Sequence, residues 1–301
     1  MSPAAPSRVA VVLGTGAMGP EIAAALADAG WRVRIAGRTP ERAAGAAARA
    51  AGFARGDGPA PEACAADAAG LDGARLVVET ITEDLAAKHE LLRAVEPHLA
   101  ADAVIATNTS SLRIADVAAP LAHPGRFAGL HFLKPAHLTG VVEVVPGPGT
   151  DAAVTAFLEC LAHDMGKTPL VVRADVPGFI WNRIQFAVLR ECLHMLEAGV
   201  ASAEDIDAAV AAGLAPRWMA AGPLATADLG GLRTFAAVSR QLFPHLAANA
   251  EVPEALTSRA EQGGAFASWT GGDAAAEVAR MRADALAEGR RFAERRRELG
   301  A

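Results

Sequence analysis

The chain has 301 residues, 52% of them apolar, and a net charge of −6. That is length for two domains and apolar content for a sizeable core, while the mildly acidic balance excludes a nucleic-acid binder built on a basic patch. No apolar run approaches the roughly 20 residues of a membrane span, and Cys64, Cys160 and Cys192 are too scattered for a disulfide framework or a C-x-x-C metal site.

Residues 8–13 form a short β-branched run that ends in Gly-Thr-Gly. Residues 21–29 are Ala-rich with helical spacing, and 32–36 alternate as a strand. Further short strand-like runs follow at 76–78, 104–106, 127–131, 141–145 and 170–172, with helical stretches between several of them. Strands alternating with helices specify βαβ units and a parallel sheet. After Pro177 the character changes. Residues 180–196 read as one long helix closed by Gly199, and Ser202-Ala203-Glu204-Asp205 as a capping box that opens the next. The remainder reads as helices and loops. Its last stretch, 274–298, is a charged helix whose Arg295-Arg296-Arg297 run, flanked by Glu294 and Glu298, is a solvated face. The expected architecture is α/β: an N-terminal Rossmann domain over 1–176 and a C-terminal all-helical domain over 177–301. Met1 to Ser7 carry no charged segment leading into an apolar one, so no secretory signal and a cytoplasmic setting are expected.

Gly14-Thr15-Gly16-Ala17-Met18-Gly19 fits G-x-G-x-x-G, directly after a strand and opening a helix. Gly14 permits the tight turn, Gly16 lets backbone approach a pyrophosphate, and Gly19 lets helix pack on strand. The helix N-terminus then offers free N–H groups and a partial positive charge to phosphates. At the end of the next strand an NAD site usually carries Asp or Glu for the ribose 2′-hydroxyl. Here Gly37 is followed by Arg38 and Thr39. Without a carboxylate a 2′-phosphate is not repelled. Arg38 can pair with it and Thr39 can donate a hydrogen bond. NADP(H) is therefore the favoured cofactor, with NAD(H) the alternative if Arg38 is merely solvated or stacks on adenine.

Five motifs follow in order: Val78-Glu79-Thr80-Ile81-Thr82-Glu83-Asp84-Leu85 with Lys88; Thr107-Asn108-Thr109-Ser110-Ser111-Leu112; Gly129-Leu130-His131-Phe132-Leu133-Lys134-Pro135; Val141-Val142-Glu143-Val144; and Pro177-Gly178-Phe179-Ile180-Trp181-Asn182-Arg183. In this order and spacing the chain resembles the 3-hydroxyacyl-CoA dehydrogenase family over about residues 8–200. The resemblance implies that His131 is the base that exchanges the hydroxyl proton of a 3-hydroxyacyl substrate. It implies that Glu143 orients the imidazole, and that Ser110 and Asn182 lie near the substrate oxygen. It implies that Glu83, Lys88 and Asn108 line the nicotinamide-ribose side, and that the protein is a homodimer joined through its C-terminal helices. The chemistry is independently sensible: histidine titrates near neutrality and so serves proton transfer in both directions, and a carboxylate on its other nitrogen fixes the tautomer. Taken singly, His131 is more often a structural histidine and Glu143 a surface residue, while Ser110 also reads as a helix cap and Asn182 as a helix surface residue. The remaining histidines lack ligand spacing, so no metal is expected, and the absence of tyrosine excludes a tyrosine general acid.

Two departures from the family stand out. Lys134 replaces the usual Asn and can bind a carboxylate or phosphate on the substrate, or else point to solvent; it is one of only three lysines, with Lys88 and Lys167. The stretch between Gly37 and Val77, which includes the loop at 56–61, is too short for the long helical hairpin that helps family members hold CoA. A small-molecule 3-hydroxy acid, or an acyl group on a carrier protein, becomes the expected substrate beside a thioester. Residues 213–218 with Gly222-Pro223-Leu224 resemble the L-gulonate dehydrogenase branch, which favours a small hydroxy acid. A non-catalytic dinucleotide-binding protein is the rival reading, opposed by the joint presence of Ser110, His131, Glu143 and Asn182.

Overall fold

Every residue of β1 (Val9–Leu13) is apolar and buried. Such a strand must be covered on both faces, as the central strands of parallel sheets are. The alternation is plain: Ala10 and Val12 join one apolar cluster, Val11 and Leu13 another. The computed structural model describes residues 8–56, 58–266 and 272–298. Of the features discussed above, Met1–Ser7, Asp57 and the side chains of Arg296 and Arg297 lie outside the described residues. Two compact units divide between Asn182 and Arg183.

In the first unit, β1 leads through α1 (Met18–Asp28), β2 (Arg32–Ala36), α2 (Pro40–Phe53), β3 (Glu62–Cys64) and α3 (Ala68–Leu71) to β4 (Leu76–Glu79). Then come α4 (Leu85–Val95), β5 (Val104–Thr107), α5 (Ile114–Ala118), β6 (Phe127–Phe132), β7 (Val141–Pro146), α6 (Ala152–Asp164) and β8 (Thr168–Val171). The eight strands form one sheet in the order β3-β2-β1-β4-β5-β6-β7-β8. All neighbours are parallel except β6 and β7, which form an antiparallel hairpin. Residues of α1, α2 and α6 share one core cluster with the strands; α4 and α5 contribute to another. This is the expected Rossmann architecture. β3 carries no apolar alternation, only Glu-Ala-Cys at a sheet edge, so the sequence pattern does not reveal it. β8 tolerates Pro169 because it is the opposite edge.

The second unit is helical, with no strand among its described residues. It holds most of α7 (Trp181–Glu197), then α8 (Ala203–Ala208), a π-helical turn (Ala209–Leu214), α9 (Ala215–Gly230), α10 (Leu232–Leu242), α11 (Glu254–Gln262) and α12 (Gly272–Glu298). Ser202 caps α8 as the motif predicts, its hydroxyl accepting the Asp205 N–H at 3.1 Å. Gly222, at φ 71°, breaks α9 before Pro223. Among the described residues only Leu193 and Ile206 are buried in this unit, while Leu224 and Leu229 are more than 80% exposed. No helix among the described residues is long and apolar enough to cross a membrane.

Candidate active site

The glycine turn shows what each glycine is for. A Cβ on Gly14, at φ 139°, would stand 2.4 Å from the Thr80 carbonyl oxygen, and one on Gly19 would stand 2.0 Å from that of Gly14. These two positions are closed by backbone packing. A Cβ on Gly16 would meet nothing within 4 Å. It faces open space in a cleft of about 690 Å³, lined by residues 13–18, by Gly37, Arg38 and Arg42, and by residues 80–83 with Asn108 and Ser110. No side chain caps the N-terminus of α1, so its first N–H groups remain for an incoming anion. An absent side chain at Gly16 and unspent donors behind it fit a dinucleotide pyrophosphate.

At the end of β2 the structure gives Thr39 a structural use and brings a further residue to the cleft. Thr39, expected to donate to a cofactor phosphate, is instead the N-cap of α2, its hydroxyl oxygen 3.4 Å from the Arg42 N–H, and it is not among the residues lining the cleft. The same hydroxyl, bonded to Glu41, holds that exposed carboxyl below its usual range. Arg42, not singled out from sequence, lines the cleft beside Arg38. The four-residue spacing across a helix start was the available signal.

A second set of residues shapes the floor. Glu79, at the end of β4, is fully buried and accepts from Lys88 Nζ at 2.8 and 2.9 Å, from the Thr107 hydroxyl at 2.6 Å and from the Ile81 N–H at 2.7 Å. Lys88, expected on the ribose side, is thus 1% exposed and spent on Glu79, with Glu83 3.5 Å away. Glu83 does line the cleft. Its Oε1 accepts from the Thr109 and Ser111 hydroxyls and from the N–H groups of Ser110 and Ser111, at 2.6–3.0 Å. Burial pushes this carboxyl up, but those bonds and the Lys88 ammonium outweigh it and hold it below the ordinary range. Asp175 takes the N–H groups of Ile114 and Ala115 at 2.9 Å, fixing the start of α5 just past this loop.

The β6–β7 register places His131 directly opposite Glu143. His131 Nδ1 lies 2.6 Å from Glu143 Oε2, with the side chains 4% and 0% exposed. The other oxygen, Oε1, accepts the N–H groups of Ile180 and Trp181 at 2.8 Å each. Burial raises the Glu143 carboxyl, and the bonds from His131, Trp181 and Ile180 together reverse that and hold it low. The turn that delivers those N–H groups is strained: Phe179 has φ 49°, in the left-handed region, and is 1% exposed with its ring 5.6 Å from that of His131. Such a conformation costs of order 1–3 kcal/mol and persists only when its surroundings fix it. Phe179 was visible in a motif but had no role assigned from sequence.

The dyad does not itself line the cleft; Asn108 and Ser110 connect the two. Asn108 Oδ1 accepts the N–H of Phe132, the residue after His131, at 2.8 Å. Asn182 Nδ2 donates to the Ser110 carbonyl at 3.3 Å. Lys134 is exposed, on the loop between β6 and β7. Thr15, Ala17 and Met18 line the cleft with Gly14 and Gly16, while Gly19 is not among its lining residues.

Comparison with known proteins gives this geometry its context. Residues 60–176 match the model of the 3-hydroxyacyl-CoA dehydrogenase NAD binding domain, and 178–273 that of the 3-hydroxyacyl-CoA dehydrogenase C-terminal domain. A 5-formyl-3-hydroxy-2-methylpyridine 4-carboxylate 5-dehydrogenase of Mesorhizobium japonicum is 32% identical over 243 residues, 77% of this chain and 79% of that enzyme. A probable 3-hydroxybutyryl-CoA dehydrogenase of Bacillus subtilis is 32% identical over 78% of this chain and 85% of its own length. A crystal structure of a 5-formyl-3-hydroxy-2-methylpyridine 4-carboxylic acid 5-dehydrogenase, described as an NAD+ dependent dismutase, superposes with a TM-score of 0.86 at 28% identity, covering 95% of this chain and 98% of that one. With both family domains matched in order, the chain belongs to the 3-hydroxyacyl-CoA dehydrogenase family of dinucleotide-dependent oxidoreductases.

Proposed function

We propose that the protein interconverts a 3-hydroxyacyl compound and its 3-keto form, with NADP(H) as the preferred cofactor and a free acid or carrier-bound acyl group as substrate beside a thioester. The buried His131–Glu143 pair at the end of the sheet beside the glycine-turn cleft carries this reading. Glu143 is held ionised, so its oxygens only accept. In the neutral imidazole the proton therefore sits on His131 Nδ1, which leaves the lone pair on Nε2. That nitrogen takes the hydroxyl proton on oxidation and returns it on reduction, and Glu143 stabilises the imidazolium formed between. The nicotinamide, when bound, supplies the hydride exchange. Ser110 and Asn182, joined by their hydrogen bond, stand ready to hold the substrate oxygen. Residues 1–176 hold the cofactor in this reading.

Preference for NADP(H) is supported by Arg38 and Arg42, two guanidiniums bordering the cleft, with no hydrogen bond or ion pair to either among the described residues. The substrate class is supported by the short connection from α2 to β4, whose described residues hold only β3 and one turn of helix, and by exposed Lys134. A second reading has its own support. The strong likeness to a dehydrogenase named for a pyridine carboxylate favours a compact aromatic carboxylate bearing a hydroxymethyl or formyl group. The exposed apolar residues of 177–301 support a homodimer joined there, and three free thiols accord with a cytoplasmic protein.

The test is nicotinamide absorbance with a panel of 3-hydroxy acids, acetoacetyl thioesters and hydroxymethyl pyridine carboxylates, each with both cofactors. Turnover should fall at least 10²-fold in His131→Ala, the usual worth of a general base. Cofactor binding without turnover of any panel member would instead leave a dinucleotide-binding protein.

A further inference from the structure

The loop from Leu133 to Gly140 joins the strand of His131 to the strand of Glu143 and carries Lys134. One residue in it, Ala136, is gripped at both of its flanking peptide groups by buried charges the proposed chemistry does not use. Glu21 Oε2, on the helix that follows the glycine turn, accepts the Ala136 N–H at 2.5 Å. Lys167 Nζ, just before β8, donates to the carbonyl oxygens of Ala136 and Thr139 at 2.6 Å each. Glu21 is 6% and Lys167 1% exposed. His137 stacks on Phe53, with ring centroids 4.6 Å apart, and its Nδ1 lies 3.7 Å from Glu21. Two buried charges are a costly way to hold a hairpin loop, since apolar packing of the same volume often does as well. What they offer that apolar contacts lack is direction: the carboxylate orients the peptide plane before Ala136 and the ammonium the plane after it.

We infer that Glu21 and Lys167 are positioning residues that set where Lys134 stands beside His131, and so determine affinity for a substrate carboxylate. Ala136 is two residues from Lys134, too close for the loop to swing at one without moving the other. The inference rests on the substrate reading above, in which Lys134 meets the acid group. It adds that the specificity of that contact is held from α1, the helix that also serves the cofactor.

The test compares Glu21→Ala, Glu21→Gln and Lys134→Ala by KM and kcat for the best carboxylate substrate of the panel. Glu21→Ala should raise KM about tenfold, the scale of one weakened charge-assisted contact, with kcat within about twofold of the parent. Glu21→Gln keeps an acceptor for the Ala136 N–H and should recover most of the loss. In Lys134→Ala the effect of Glu21→Ala should disappear. Lys134 also offers a readout independent of turnover. The other two lysines are 1% exposed, so acetic anhydride should acetylate Lys134 selectively among lysines. Protection of that site by 3-hydroxybutyrate, read by peptide mass, should weaken in Glu21→Ala and return in Glu21→Gln. If Glu21→Ala does not fold, Thr139→Val is read the same way, because the Thr139 hydroxyl bonds the Leu133 and Pro135 carbonyls of this loop. A raised KM in Lys134→Ala beside parent-like KM and labelling in Glu21→Ala overturns the positioning role and spares the substrate reading. Parent-like KM in Lys134→Ala, together with no protection of Lys134 by 3-hydroxybutyrate in the parent protein, overturns both.

Discussion

Replacing Glu143 by Gln changes one oxygen for an NH₂ group and nothing else in volume, yet the geometry turns that into a change of tautomer. The carboxylate faces three donors: His131 Nδ1–H on one oxygen and the Ile180 and Trp181 N–H groups on the other. An amide has one oxygen. Turned toward His131, its NH₂ would confront two backbone N–H groups in a site with no exposure. Turned the other way, the oxygen keeps both backbone bonds and the NH₂ donates to Nδ1. The second arrangement wins by satisfying more donors, because a buried unpaired N–H costs about 1–3 kcal/mol. His131 must then carry its proton on Nε2, the nitrogen needed as base. Loss of the correct tautomer in a buried His–carboxylate pair lowers kcat roughly 10³–10⁴-fold. Three charge-assisted bonds become neutral ones, at about 1 kcal/mol each, so stability should fall by roughly 3 kcal/mol. Steady-state kinetics, a urea melt and NADP(H) titration are measured on the same preparation. A folded Glu143→Gln protein that binds cofactor and keeps more than a tenth of kcat would refute the tautomer argument.

Three further outcomes are expected. Gly16→Val should fold normally, having open space for its side chain, yet lose at least tenfold in dinucleotide affinity by calorimetry; Gly19→Ala should instead lose about 3 kcal/mol in a melt, because backbone must shift. Lys88→Met strands the fully buried Glu79 and should cost about 3–5 kcal/mol of stability by urea titration; a loss below 1 kcal/mol would mean Glu79 is not charged there. Glu83 and Glu143 both have carboxyls held below the ordinary value of 4.5 in the folded protein. Their contribution is complete above that value and is lost as pH falls through their lowered folded values. Urea melts from pH 6 downward should show stability dropping below about 4.5, with a shallower fall in Glu83→Gln; an unchanged slope would contradict the shift.

Much of this protein is legible in one dimension because its determinants are local. The glycine turn, the apolar β1 and the Ser202 cap each depend on a few adjacent residues, and the ordered motifs bring His131 and Glu143 under suspicion together. Adjacent strands joined by a short loop leave little choice of register, so even their facing across β6 and β7 can be anticipated. What the linear pattern could not decide is where side chains spend their hydrogen bonds. Thr39 and Lys88 have the composition of cofactor ligands, but the fold uses one as a helix cap and the other as the counter-ion of Glu79. Arg42, Asp175 and Phe179 gain meaning only when α2, α5 and the 177–181 turn are brought to the sheet. Glu21 and Lys167 lie 146 positions apart and meet at one loop residue, Ala136, through packing alone. Sequence sets propensity and chemistry residue by residue; only the folded chain determines which donor finds which acceptor, because burial makes every unpaired choice expensive.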